Sequence, residues 1–212
     1  MIHSRAMLGQ LVLQGGGPFI SNDELDTRLL QGVNGYVAVL PTAEAFENPA
    51  ALVATSVLWA QRMGVETKLC AVYTRADARE NHLAKIVREA GAVYVVGDSP
   101  IHLRTTLQGT VVYEALEQQL ENGIVVAVAG SAAALCDPMV DPRGGAFTLG
   151  LGLVEGIAVI TESETWSHDR LQRSLQLANT TVVQLPTGSA LLCVQGKWNV
   201  DGPAIIHGSF PN

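Results

Sequence analysis

The sequence predicts an α/β protein of three layers, a mostly parallel sheet with helices on both faces. Three observations lead there. Short apolar runs recur along the 212 residues, they are continuous rather than alternating, and most end in a glycine or proline turn followed by helical periodicity. A strand that is apolar on both sides needs cover on both sides, and repeated strand-helix units supply it. Hydrophobic residues make up 48% of the chain and charged ones 16%, enough to bury a full core and too apolar for disorder. At this length a single domain spanning 1–212 is expected.

The elements follow in order. Leu11 to Gln14 is a first strand, ending at Gly15-Gly16-Gly17-Pro18, and Tyr36 to Leu40 a second, ending at Pro41-Thr42. Asn48 to Met63 has helical periodicity through Leu52, Val53, Val57 and Ala60. Thr67 to Tyr73 reads as a strand, and Asp77 to Ala90 as a helix with Leu83, Ile86 and Val87 on one face. Ala92 to Val96 ends at Gly97-Asp98-Ser99-Pro100; a helix from Val111 to Glu121 then leads into the apolar run Ile124 to Val128. Ile157 to Ile160 and Thr181 to Leu185 are further strands, with a helix from His168 to Leu177 between them. Leu191 to Val194 and Ala204 to Ile206 read as a closing antiparallel pair.

Several functions are disfavoured. A formal net charge of -7 offers no electrostatic footprint for nucleic acid or an anionic membrane. Apolar runs are broken well before the ~20 residues a membrane span needs, and Met1 to Met7 lacks the apolar core of a signal peptide. Cys70, Cys136 and Cys193 are odd in number, widely spaced and set among apolar residues, so they read as buried thiols in a reducing cytoplasm. No histidine-carboxylate cluster has metal-ligand spacing, and Gly-Gly-Gly-Pro-Phe matches neither the dinucleotide fingerprint nor the P-loop, so no metal or cofactor is expected.

In sheets of this kind ligands sit outside the carboxyl ends of the strands. That rule gathers Gly15-Gly16-Gly17, Pro41-Thr42-Ala43, Gly97-Asp98 and Ser131 at one edge. The apolar run before Ser131 breaks at Gly130 and restarts at once as Ala132-Ala133-Ala134-Leu135, the pattern of a strand, a tight turn and a helix. A nucleophile elbow has this form, with small neighbours so that the strained turn closes and a backbone N–H reaches an oxyanion. On that reading Ser131 is a nucleophile with strained or positive φ; otherwise it caps a helix. A serine nucleophile also needs a base, and the chain offers five histidines, His168 among them at the head of the helix that ends at Leu177. Asp137, Asp141, Glu155, Glu162 and Glu164 all stay open as the acid that would orient it.

Taken together, these motifs resemble peptidase family S51, the family of dipeptidase E and cyanophycinase, within the class I glutamine amidotransferase-like fold. Leu13-Gln14-Gly15-Gly16-Gly17 is similar to its first strand and glycine turn, and Val39-Leu40-Pro41-Thr42-Ala43 to its second. Val95-Val96-Gly97-Asp98 with Leu107-Gln108-Gly109-Thr110, the elbow Gly123 to Met139, Gly150-Leu151-Gly152-Leu153, and His168 with Arg170 and Arg173 follow in the family's order. The resemblance implies a flavodoxin-like sheet and a Ser131–His168 hydrolase. It implies an oxyanion held by backbone at Gly97, Asp98 and Ala132, and a substrate met by Gly16, Gly17, Arg170 and Arg173. The substrate would be a small or acidic peptide. Departures are Ala129 and Ala133 where the family has glycine, Asp98 and Ser99 in place of glycine and asparagine, and Asp169 for an aromatic residue.

Two readings follow. One is a serine-type exopeptidase acting on small peptides; the other is an inactive relative that holds a small peptide or metabolite in the strand-end crevice. A scaffold subunit is a third, weaker reading, and a glutaminase-type amidotransferase is disfavoured by the absence of an elbow cysteine. A homodimer is left open as the assembly.

Overall fold

The computed structural model describes residues 9–211, so the segment Met1 to Met7 and His3 lie outside the described residues. The main sheet comprises β1 (Gln10–Gln14), β2 (Tyr36–Leu40), β3 (Glu66–Leu69), β4 (Ala92–Val96) and β5 (Ile124–Val128), joined later by β12 (Ala190–Val194) and β13 (Lys197–Asp201). Between them come α1 (Asp23–Leu30), α2 (Pro49–Met63), α3 (Asn81–Arg88), α4 (Pro100–Leu107), α5 (Val111–Asn122) and α6 (Gly130–Leu135). The seven strands run β13-β12-β1-β5-β4-β2-β3. β1 to β5 pair in parallel, while β12 is antiparallel to β1 and to β13.

Alternation along each strand divides the core in two. Leu11, Leu13, Ala38, Val93, Val95 and Val125 face α3, α4, α5 and α6. Val12, Val37, Val39, Tyr94 and Val126 face α1 and α2, where Phe19 and Trp59 fill the space. The predicted three layers are present, and the strands are apolar throughout because helices cover both sides. α2 shows how local chemistry sets an element: Asn48 Oδ1 accepts from the Ala51 N–H, Pro49 opens the helix, and Gly64 closes it at φ 69°.

A second, smaller sheet lies downstream. Short pieces β6 (Cys136–Asp137), β7 (Met139–Val140), β8 (Phe147–Thr148) and β9 (Val154–Glu155) lead to β10 (Ile157–Thr161), α7 (His168–Leu177) and β11 (Thr181–Leu185). β10 and β11 pair in parallel, and β14 (Ile205–His207) joins β11 antiparallel. The expected pairing of the last two apolar runs is therefore corrected: β12 belongs to the main sheet and β14 to the second. The third strand is also shorter than Thr67 to Tyr73, because after Cys70 N–H bonds Val39 O the chain turns with Val72 N–H on Cys70 O. α1 and α4 were not foreseen; α4 opens on Pro100 and carries Thr105-Thr106, a weak helical signature.

The strand order reverses direction between β2 and β4. Chain leaves β2 toward β3 on one side and β4 toward β5 on the other, so a crevice opens above their carboxyl ends.

Candidate functional site at the elbow

The turn after β5 is strained at Ala129. This residue sits at φ 57°, ψ -130°, a conformation an L side chain rarely adopts, with its N–H bonded to Gln14 O and its methyl buried. Gly130 follows. A Cβ there would fall 2.6 Å from the Asp98 carbonyl carbon, so only glycine lets the elbow pass the Gly97-Asp98 turn. Gly97 itself, at φ 121°, lies against Ala43 and Glu44, and Ser99 N–H bonds Ala43 O. The ends of β2, β4 and β5 thus lock together through backbone contacts.

Ser131 is one residue further on, inside α6. It is fully buried; its N–H donates to Gly97 O at 2.9 Å and its Oγ to the same oxygen at 3.2 Å. The expectation of strained φ at Ser131 is corrected: the strain falls two residues earlier, on a side chain with no hydroxyl. Ala132 N–H is bonded to Ala129 O, so that amide is committed within the turn rather than free for an oxyanion. The amide that directly follows the strained residue is Gly130's.

Beside the elbow lies a cavity of about 280 Å³, lined among others by Asp98, Gly130, Glu162, Trp166 and Arg170. Asp98 reaches solvent, yet displaced water raises its pKa; the Gly130 N–H favours its charged form and the Glu47 charge opposes it. Burial also raises Glu162, helped by the charges of Asp98 and Glu164. Glu44 is raised by burial as well, although the Asp98 N–H stabilises its carboxylate. The two amides nearest the crevice are therefore met by this chain's own carboxylates. Arg170 lies flat on Trp166, its guanidinium carbon 3.7 Å from the ring centroid, with Nη1 donating to Pro142 O. Its Nε is buried without a partner.

The other expected residues are placed as follows. His168 opens α7, is exposed and does not line the cavity; Arg173, also on α7, is exposed. The glycine turn is approached closely, but by its own chain: a Cβ at Gly16 would come within 2.7 Å of Glu162 Cγ, and one at Gly17 would meet Ser21. Of the open acids, Asp137 accepts from Gly150 N–H, Asp141 pairs with Arg143, Glu164 accepts from Thr187 N–H, and Glu155 is exposed; Glu162 alone faces the cavity. All three cysteines are buried and unpaired, and burial pushes Cys70 and Cys136 up to about 12. Among the described residues no His, Cys, Asp and Glu cluster could hold a metal ion, and no helix is long and apolar enough to cross a membrane.

Sequence reasoning passed over a buried carboxylate, Asp26 on α1. It accepts from Gln14 Nε2 at 2.7 Å, Tyr94 Oη at 2.9 Å and Trp59 Nε1 at 3.0 Å. Tyr94 and Trp59, two of the largest buried side chains, are its donors together with Gln14. Their separations of 12, 68 and 33 residues leave no local signal.

Neither a protein-family model nor a curated protein matches the chain. Its fold is similar to that of a peptidase from an acI-B1 Actinobacterium, with a TM-score of 0.81 at 24% identity, over 98% of this chain and 93% of that one. It is also similar to a candidate Peptidase E protein from Listeria monocytogenes EGD-e, with a TM-score of 0.64 at 14% identity, over 94% and 98% of the two chains. At these identities the likeness establishes the fold, a mostly parallel seven-stranded sheet flanked by helices.

Proposed function

We propose that this chain is a peptidase-like protein whose crevice holds a small peptide or metabolite, with an elbow that supplies shape and a backbone N–H but no nucleophile. One observation carries this reading: the strained position that a nucleophile elbow presents to a substrate is filled by Ala129, a methyl group. Ser131 is read as structural, since a hydroxyl that is fully buried and donates to Gly97 O holds the turn rather than attacking a carbonyl. His168 is read as a solvated first residue of α7. Arg170 is the group read as meeting a ligand carboxylate, because it lines the cavity and its guanidinium is bonded to the chain through Nη1 alone. Arg173 is read as a surface residue.

A second reading, a serine hydrolase acting through Ser131 and His168, is favoured by the two structural neighbours described as peptidases. A fluorophosphonate probe separates the two. The expected result is no labelling of the purified protein, and none in Ser131→Ala. Labelling of the unaltered chain that disappears in Ser131→Ala would overturn the first reading in favour of the second.

A further inference from the structure

The elbow cavity brings opposite charges together and leaves them apart. Arg170, Asp98 and Glu162 line the same space of about 280 Å³, yet the described ion pairs include none between Arg170 and either acid. A guanidinium and carboxylates sharing so small a volume gain from direct contact, because charge-assisted pairs are strong where water is scarce. Here the guanidinium is held back. Trp166 stacks under it and Pro142 O takes Nη1, which leaves Nε buried and unpartnered. Glu162 is likewise fixed, at φ 46° and ψ 41°, with its side chain seated against Gly16, where any larger residue would collide.

Fixed opposite charges with a gap between them fit a molecule that carries both. We propose that the cavity takes an amino-acid zwitterion, its carboxylate on Arg170 and its ammonium between Asp98 and Glu162. This rests on the reading of the crevice as a binding site. The side chain has a route outward. A neighbouring cavity of about 400 Å³ shares Asp98, Pro100 and Pro142 with the first, and presents Ile101 and Phe46, whose ring stands edge-on to His102 at 4.5 Å. Phe46 is 77% exposed, a large apolar surface left open at the mouth. The side chain favoured there is apolar or aromatic.

The test is calorimetric titration of the purified protein with four probes: L-phenylalanine, L-phenylalaninamide, N-acetyl-L-phenylalanine and glycine. Phenylalanine is expected to bind at least tenfold more tightly than the amide, which lacks the carboxylate, and than the acetylated form, which lacks the ammonium. Glycine is expected to bind more weakly than phenylalanine. Glu162→Gln should weaken phenylalanine at least tenfold while leaving the acetylated form unchanged, and Arg170→Gln should do the converse with the amide. Equal affinity for the three phenylalanine compounds, or no binding of any to folded protein, overturns the inference. Either result leaves the fluorophosphonate outcome standing, so the ligand class and the missing nucleophile fail separately. Glu162→Gln and the ligand series decide the matter even where Arg170→Gln does not fold.

Discussion

Asp26 and Asp98 are both carboxylates whose pKa is raised chiefly by loss of water, but they are built into opposite situations. Asp26 is 1% exposed and takes three donated hydrogen bonds inside a cluster of Phe19, Trp59 and Tyr94 rings, with centroids 4.8 to 5.9 Å apart. Asp98 stands at an open mouth, with the Gly130 N–H as its favourable neighbour and other acids around it. The first is satisfied and closed; the second is open to water and faces a cavity. A buried polar group with all its partners fixes architecture, whereas a solvent-facing one beside a cavity is available to a ligand.

The largest effect that can break this contrast is on stability. Asp26→Ala strands three donors in a dry interior and should cost roughly 3 to 5 kcal/mol in chemical denaturation. Asp98→Ala should change stability by no more than about 0.5 kcal/mol, as for an exposed site. A loss at Asp98 equal to that at Asp26 would erase the distinction. Next comes the elbow: Gly130→Ala drives a methyl into the Asp98 backbone and should cost about 1 to 3 kcal/mol, lowering the melting temperature. A smaller, opposite change is expected at Ala129→Gly, which relieves positive φ and should stabilise by about 1 kcal/mol. If it destabilises, Ala129 is not strained.

The last prediction sharpens the comparison through pH. Asp26 has a folded pKa raised above the ordinary 3.8, so the folded state holds its proton more tightly than the unfolded chain. Its contribution to stability is complete below 3.8 and is lost as pH rises through the raised folded value. Ligand affinity should move the other way. Asp98 and Glu162 must be ionised to hold an ammonium, and their raised pKa values mean binding begins to fail at a higher pH than ordinary carboxylates would set. Urea unfolding and titration calorimetry across the acid range measure the two slopes; matching signs would show that the two acids are not differently employed.

Much of the scaffold was legible because it is periodic. Tyr36–Leu40, Ala92–Val96, His168–Leu177 and Thr181–Leu185 form the elements their apolar spacing predicts, with those same bounds. The address of the site was legible too, since the turns after β2, β4 and β5 do converge. The register of the elbow was not. A serine draws attention by its chemistry, but the kink falls where β5 ends, at Ala129, and Gly130 marks it by its need to clear Asp98. Glu162 and Arg170 come from the second sheet and the helix packed on it. No local pattern joins them to Asp98 or announces the Asp26 network.

The place of β10 and α7 in the chain carries a consequence for the order in which this molecule is made. Glu162 follows β10 and Arg170 lies on α7, between the strands of the small sheet, and that sheet gains its third strand from Ile205–His207. Asp98 and Gly130 rest on β4 and β5, which leave the ribosome some seventy residues sooner or more, by the position of Ile205 in the chain. The elbow is therefore laid down well before the wall that faces it. A nascent chain stopped short of β10 carries half a cavity, with Asp98 and the elbow made and neither Glu162 nor Arg170 yet present. On the proposed reading a zwitterion meets both its partners only once α7 has been made.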